Sequence, residues 1–332
     1  MLKEILVRLA DRVDLTVEEA REVLTAILQG AATPVQIAAF ATALRVKGET
    51  VEEIVGFVQA MRGAMVRVQV NRPAVLDIVG TGGDAKGSYN ISTASALVAA
   101  AAGATVAKHG NRAASSRCGS ADLLEALGVR LEAPRSTVER CLREIGIAFL
   151  FAPLYHPALK HAGPVRKELG FRTVFNLLGP LCNPAGANCY ALGVARPEWV
   201  EKIGRVLRGL DVRNAYVFHS RDGYDELSPF ADNDVCHVTP QEIRMIVVPG
   251  SGAPAEGVCG GGPEENARAT LELLQGKKGA FRDTVILNSA YGILAAELET
   301  DPATAAARAE EILESGRALA KLEQLRRMSH ED

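Results

Sequence analysis

Residues 77–93 read DIVGTGGDAKGSYNIST, and residues 108–122 read KHGNRAASSRCGSAD. The first run begins in an apolar strand at 76–79 and leads into residues 91–102, which are apolar on nearly every side, the signature of a buried helix. Gly103 stops that helix before a second strand at 105–107. Strand, glycine turn, buried helix and strand together predict a parallel α/β sheet. Between Asp84 and Asp122 there is no acidic residue, while Lys86, Lys108, His109, Arg112 and Arg117 are all present. Glycines let several backbone N–H groups point at one oxyanion, and the following helix adds its positive end. The window is built for an anion, phosphate above all.

Spacing excludes two common phosphate motifs. Gly80, Gly82 and Ala85 fit GxGxxG/A, but Lys86, Gly87, Ser88 and Tyr89 intervene before the helix, and the acid a dinucleotide ribose needs about 20 residues on is missing. Lys86 is not preceded by the GxxxxG of a Walker A loop. Downstream, strands are expected at 147–151, 190–194 and 215–219, alternating with helices near 136–144 and 198–208. GGGP at 260–263 precedes another helix, and two more helices are expected from Arg282 to the end.

The first 65 residues have a different texture. Thr16 with Glu19, Thr33 with Gln36 and Thr50 with Glu53 are capping boxes, Pro34 takes the favoured first helical position, and Gly30 and Gly48 sit where helices end. Four short helices follow from this punctuation. Residues 65–75, MVRVQVNRPAV, read as an extended crossing. The expected fold class is therefore α/β: a small all-α domain, residues 1–70, and a large α/β domain, residues 71–332, with a central, mostly parallel sheet.

Composition sets bounds. With 332 residues, 48% of them hydrophobic, the chain can bury a sizeable core, and a net charge of -3 argues against a general nucleic-acid binder. Its six cysteines form no CxxC pair, so reduced, mostly buried thiols are expected. The opening MLKEILVRLADRV is neither a signal peptide nor a membrane span, and a cytoplasmic protein is the expectation.

GTGGD at 80–84, NIST at 90–93, KHGNR at 108–112 and GSAD at 119–122 resemble the anthranilate phosphoribosyltransferase family, class IV phosphoribosyltransferases of the nucleoside-phosphorylase-like type. VRKELGFRTVFNLLGPLCNP at 165–184, GYDELS at 223–228 and PEENA at 263–267 fall in the same order, so the resemblance spans the chain. Departures are small: Ser88, Tyr89, Cys118 and Tyr224 replace commoner residues, and PFADNDVCHV after Ser228 lacks the usual Gly-Thr.

The resemblance implies transfer of phosphoribose from 5-phosphoribosyl 1-diphosphate (PRPP) to the amine of anthranilate, releasing diphosphate, in tryptophan biosynthesis. It assigns PRPP to Gly80, Gly83, Asp84, Ser88, Asn90, Ile91, Ser92, Thr93, Lys108, His109, Gly110, Asn111, Arg112, Ala113, Ala114, Ser115, Ser116 and Ser120. Gly80, Asn111 and Arg166 are carried over as anthranilate contacts, and an arginine fork suits a carboxylate. Two Mg²⁺ ions are implied at Ser92, Asp225 and Glu226, since neighbouring carboxylates diverge toward different metal positions. No catalytic residue is required by the chemistry, because the aromatic amine is already neutral; His109 is the one candidate for its proton. The resemblance also implies a middle segment near 165–185 packed on the helical domain, a homodimer through that domain, and no nucleic acid or membrane partner. The rival readings are a pyrimidine nucleoside phosphorylase and a non-catalytic nucleic-acid-binding relative; nine acids against seven bases in residues 1–65 disfavour the latter.

Overall fold

A computed structural model describes residues 2–113, 116–253 and 257–331. The chain opens with α1 (Leu2–Ala10), α2 (Val17–Leu28), α3 (Pro34–Lys47) and α4 (Val51–Ala64). It continues through β1 (Leu76–Gly80), α5 (Ile91–Ala101), β2 (Val106–Gly110), α6 (Ser120–Ala126), α7 (Arg135–Glu144) and β3 (Ile147–Phe151). Short helices α8 (Ala152–Tyr155), α9 (Gly163–Leu169) and α10 (Phe175–Leu181) precede β4 (Cys189–Gly193), α11 (Glu198–Gly209), β5 (Asn214–Ser220), β6 (Asn233–Val238) and β7 (Ile243–Val248). The chain closes with α12 (Pro263–Leu274), α13 (Ala280–Ala295), α14 (Pro302–Glu314) and α15 (Arg317–Ser329).

Two compact units result, Met1–Arg67 with Pro153–Pro184, and Val68–Ala152 with Ala185–Asp332. The returning segment of the helical unit thus starts at Pro153, ahead of the 165–185 read from sequence. In that unit all three capping boxes form, each threonine accepting from the residue at the third helical position while the Glu or Gln there accepts from the cap. Glu53 does more than cap. It is fully buried, accepts from Leu15 N–H at 3.0 Å and pairs with Lys47 Nζ at 3.0 Å, and Lys47 also reaches Asp14 at 2.6 Å. One carboxylate therefore joins the α1–α2 turn to the α3–α4 turn, with its lone pairs satisfied as burial requires.

The larger unit is built on one seven-stranded sheet of order β3-β2-β1-β4-β5-β6-β7. Strands β1 to β5 pair in parallel, β5 with β6 and β6 with β7 antiparallel. The hairpin of β6 and β7 is absent from the sequence expectation. Its alternation is weak because β7 is an edge strand whose Met245 and Val247 stay about half exposed (48% and 53%). Three helices rather than two follow the α12 segment, since Asp301 caps a separate α14 by accepting from Thr304 N–H at 2.8 Å. Strand β2 runs on past Ala107 to Gly110, because Lys108, His109 and Gly110 pair with Phe149, Leu150 and Phe151 of β3. Pairing overrides the polarity of those side chains. Helix α5 is buried along nine of its eleven residues, between β1 and the outer helices α13 and α15.

The order of the strands places the site. The order runs down from β3 to β1 and then jumps to β4, so β1 and β4 flank a topological switch point, where ligands bind outside the carboxyl ends of the strands.

Helix α4 crosses α2 at Gly56, where an added Cβ would stand 2.3 Å from the Val17 carbonyl oxygen and 2.8 Å from Ala20 Cβ. Replacing a mid-helix glycine by alanine gains about 1 kcal/mol of propensity. Overpacking against immovable backbone costs roughly 1–3 kcal/mol and should win. Gly56→Ala is expected to lower the thermal midpoint by several degrees, read by circular dichroism; an unchanged or raised midpoint would contradict the close crossing.

Candidate active site

Gly80 ends β1, and the chain turns through Gly82, Gly83, Ala85 and Gly87, all at positive φ (62°, 85°, 59° and 62°). This turn meets residues 224–226, which arrive after β5. Gly82 N–H donates to Asp225 Oδ2 at 2.7 Å, and Asp225 N–H lies 3.4 Å from Asp84 Oδ2. Asp84 also accepts from Lys86 N–H at 3.1 Å, and Lys86 Nζ lies over the Tyr224 ring at 5.3 Å. The approach depends on missing side chains. A Cβ on Gly80 would stand 2.7 Å from Asp225 Oδ2, and one on Gly193, the last residue of β4, would stand 1.6 Å from the Asp225 carbonyl oxygen.

Asp225 and Glu226 are both buried (8% exposed each). Burial drives the Glu226 carboxyl well above its ordinary range, the Asp225 and Asp84 charges add to that rise, and Lys108 and the Ser92 backbone N–H oppose it. Ser92 and Thr93 lie in the first turn of α5, which has no acidic residue, so the positive helix end faces these acids. Lys108 is buried (4%) and donates from Nζ to the Ile78 carbonyl at 2.6 Å and to Ser92 Oγ at 3.3 Å. Burial lowers its pKa, while the Asp77 and Glu226 charges raise it. Lys108 is thus wired beneath the loop, between the strand and the serine.

The second motif builds a separate turn. His109 is buried in β2, its N–H 3.3 Å from Asp77 Oδ1. Gly110 lets Ser120 pack close, since a Cβ there would fall 2.1 Å from Ser120 Oγ, which itself lies 3.4 Å from the Asn111 carbonyl. Asp122 organises the loop by accepting from Ala113 N–H at 2.8 Å, Gly119 N–H at 2.9 Å and Arg112 at 3.0 Å. Arg112 further makes a two-pronged pair with Glu125 at 2.7 and 2.9 Å and lies over Phe151, so its charge is already matched. Ser116 Oγ reaches the Cys118 carbonyl at 3.4 Å; Ala114 and Ser115 lie outside the described residues. Ser88 forms a lone antiparallel bridge with Cys259, and Tyr89 stacks on Phe281 at 4.5 Å.

In the helical unit Arg166 lies on α9 with its guanidinium over Phe175 at 5.7 Å. Burial alone lowers its pKa, and among the described residues no carboxylate pairs with it. It is a partly buried cation that lacks an anion among the described residues.

Several residues that hold the site give no sequence signal toward it. Asn288 of α13 accepts from Leu227 N–H at 3.0 Å and donates to Leu227 O at 2.7 Å, clamping the backbone next to Glu226. Asn233 does the same for Ser228, at 2.8 and 2.9 Å. An asparagine midway along α13, next to the apolar run Val285–Leu287, is the one available hint. No group of three or more His, Cys, Asp or Glu residues closes on a single metal position among the described residues. What the site offers is hard oxygen donors: Asp225, Glu226, Asp84 and the Ser92 hydroxyl. That set suits a cation bound by one or two carboxylates and completed by substrate oxygens.

A small helical unit, a larger α/β unit and a glycine turn at the switch point define a glycosyl-transferring class. The family models agree: "Glycosyl transferase family, helical bundle domain" matches residues 3–65, and "Glycosyl transferase family, a/b domain" matches residues 72–319. The anthranilate phosphoribosyltransferase of Geobacter sulfurreducens is 47% identical over 350 residues, covering 100% of both chains. Among solved structures, that of the Thermus thermophilus anthranilate phosphoribosyltransferase has a TM-score of 0.93 at 46% identity and covers 98% of each chain. The Saccharomyces cerevisiae enzyme in complex with PRPP and Mg has a TM-score of 0.86 at 28% identity, covering 99% of this chain and 97% of that one. The chain belongs to the anthranilate phosphoribosyltransferase family.

Gly193→Ala puts a methyl group into the Asp225 backbone and cannot be absorbed by a side-chain rotation. The expected result is a loss of kcat/KM of about 100-fold or more, equal to about 2.7 kcal/mol in barrier, with residues 225–226 displaced in a crystal structure. Near-normal kcat/KM would show that the acidic loop does not need its seat on β4.

Proposed function

We infer that this chain transfers the phosphoribosyl group of PRPP to the amine of anthranilate, giving N-(5-phosphoribosyl)anthranilate and diphosphate, a step of tryptophan biosynthesis. The observation that carries this reading is the convergence of the Gly80–Asp84 turn, the acid-free end of α5 and the Asp225–Glu226 pair at one switch point.

Displacement at the anomeric carbon builds positive charge on the sugar and negative charge on the leaving diphosphate. The backbone N–H groups of the glycine turn, Asn90 and Ser92, with the hydroxyls of Ser88, Ser92 and Thr93, hold that diphosphate and the ribose. Ser120, Asn111 and the loop from Gly110 to Ser116 take the second phosphate-bearing side. Lys108 sets the Ser92 hydroxyl and balances Glu226 from below. Two Mg²⁺ ions, held by Ser92, Asp225 and Glu226, would neutralise charge on the diphosphate oxygens. The Ser92 and Asp225–Glu226 oxygens would hold those ions, and the Asn288 clamp fixes the backbone beside Glu226.

Anthranilate brings a carboxylate, and Arg166, with no carboxylate partner among the described residues, is the cation to receive it. Gly80 and Asn111 line the same substrate. The amine is neutral at working pH, so orientation matters more than a strong base, and His109 is the candidate for the departing proton. Arg166 belongs to the unit of residues 1–67 with 153–184, and the residues proposed for PRPP belong to the α/β unit. Val7, Val35 and Val46 are exposed on α1 and α3 (61%, 78% and 65%), which supports a homodimer through the helical unit. No helix among the described residues is long and apolar enough to cross a membrane, and a cytoplasmic location accords with the six free cysteines.

Consumption of anthranilate, followed by its fluorescence with PRPP and Mg²⁺ present, tests the reading. Arg166→Ala should raise KM for anthranilate by about 30- to 100-fold, in line with a charge-assisted bond of about 2–3 kcal/mol, and leave KM for PRPP within about twofold. A wild-type chain that does not consume anthranilate would overturn the function; an unchanged anthranilate KM in the variant would overturn only the role of Arg166.

A further inference from the structure

Asn90 stands at the N-cap of α5, and asparagine is among the best residues for that position because its side chain can accept from the second or third helical N–H. Here it does not. Its side chain makes no capping bond, and the carboxamide is turned the other way. Asn90 Nδ2 donates to the Cys118 carbonyl at 3.1 Å, and Asn90 Oδ1 accepts from Asn266 Nδ2 at 2.9 Å. Asn266, on α12 and 1% exposed, in turn accepts at Oδ1 from Gly261 N–H at 2.7 Å.

The two ends of this relay fix its direction. Gly261 N–H can only donate and the Cys118 carbonyl can only accept, so neither amide can flip without setting like against like. Asn266 must therefore present its NH₂ to Asn90, and Asn90 must present its oxygen to Asn266. The consequence lies in the first turn of α5. With Asn90 held away, its oxygen does not occupy the Ser92 N–H, a group that acts against the rise of the Glu226 carboxyl.

We propose that Asn266 is a positioning residue for the PRPP site: by holding the Asn90 carboxamide it withholds the natural cap of α5, keeping the Ser92 N–H open toward Glu226 and the diphosphate. It acts through Asn90 and touches no substrate. Without its NH₂ the Asn90 oxygen turns onto the Ser92 N–H, competes with Glu226, and weakens both the acid's aim and the anion site. The proposal rests on the phosphoribosyl-transfer reading. Wild-type turnover tests that reading, whereas the Asn266 variants test the relay.

Asn266→Asp keeps the shape and the bond from Gly261 while removing the donor to Asn90; Asn266→Ala removes both without burying a charge. Either should raise KM for PRPP about tenfold or more, leave KM for anthranilate within about twofold, and reduce kcat much less. The decisive comparison is a double-mutant cycle with Asn90→Ala, which abolishes the competing cap. In that background the Asn266 change should add less than about twofold to the PRPP KM. Multiplicative effects of the two substitutions, a matching rise in the anthranilate KM, or failure of both Asn266 variants to fold would overturn the proposal in favour of a purely structural role.

Discussion

The site depends on how closely residues 225–226 can approach the ends of β1 and β4. That approach exists because the two strands end in Gly80 and Gly193, and a methyl group on the latter would overlap the Asp225 backbone. Closeness has an electrostatic cost. Asp84, Asp225 and Glu226 share one corner, and Glu226 is pushed toward its neutral form by burial first and by its neighbours second. Lys108 from below, Gly82 N–H from the turn and Ser92 N–H from α5 offset part of that cost. The part left over is a standing demand for a cation, which is the physical reason a metal-assisted diphosphate chemistry fits here.

Some cations of the two motifs already have protein partners. The window between Asp84 and Asp122 carries several cations, yet two of them are already engaged. Arg112 is matched by Glu125 and Asp122, and Lys108 is buried under Ser92. On the proposed reading, backbone N–H groups, hydroxyls, the end of α5 and ions would therefore carry much of the diphosphate binding. Fixed dipoles of this kind need no reorganisation as charge develops on the leaving group.

Sequence signals are legible where local physics decides. The three capping boxes, the buried α5 and the strand at 147–151 follow from residue type and spacing, and each has the expected partners. Long-range pairing erases other signals. Lys108 and His109 look like loop residues until β3 draws them into the sheet, and the β6–β7 hairpin is hidden because its edge strand has no fully dry face. At the site, the motifs locate the chemistry, but the supports are beyond their reach. Gly193, Asn288 and Asn266 matter through contacts with residues 32, 61 and 176 positions away in sequence, respectively Asp225, Leu227 and Asn90. Arg112 looks free in the sequence because its acids lie just past the window.

The central claim is that Asp225 and Glu226, seated over the switch point, hold divalent cations together with the diphosphate of PRPP. Diffraction from crystals of the full chain soaked with Mn²⁺ and PRPP, read at the manganese anomalous signal, tests it most directly. The expected result is anomalous peaks bonded to the Asp225 and Glu226 carboxylates, one of them within reach of Ser92 Oγ and both shared with diphosphate oxygens. PRPP density in the glycine turn with manganese bound elsewhere, or with none at this acidic pair, would contradict it.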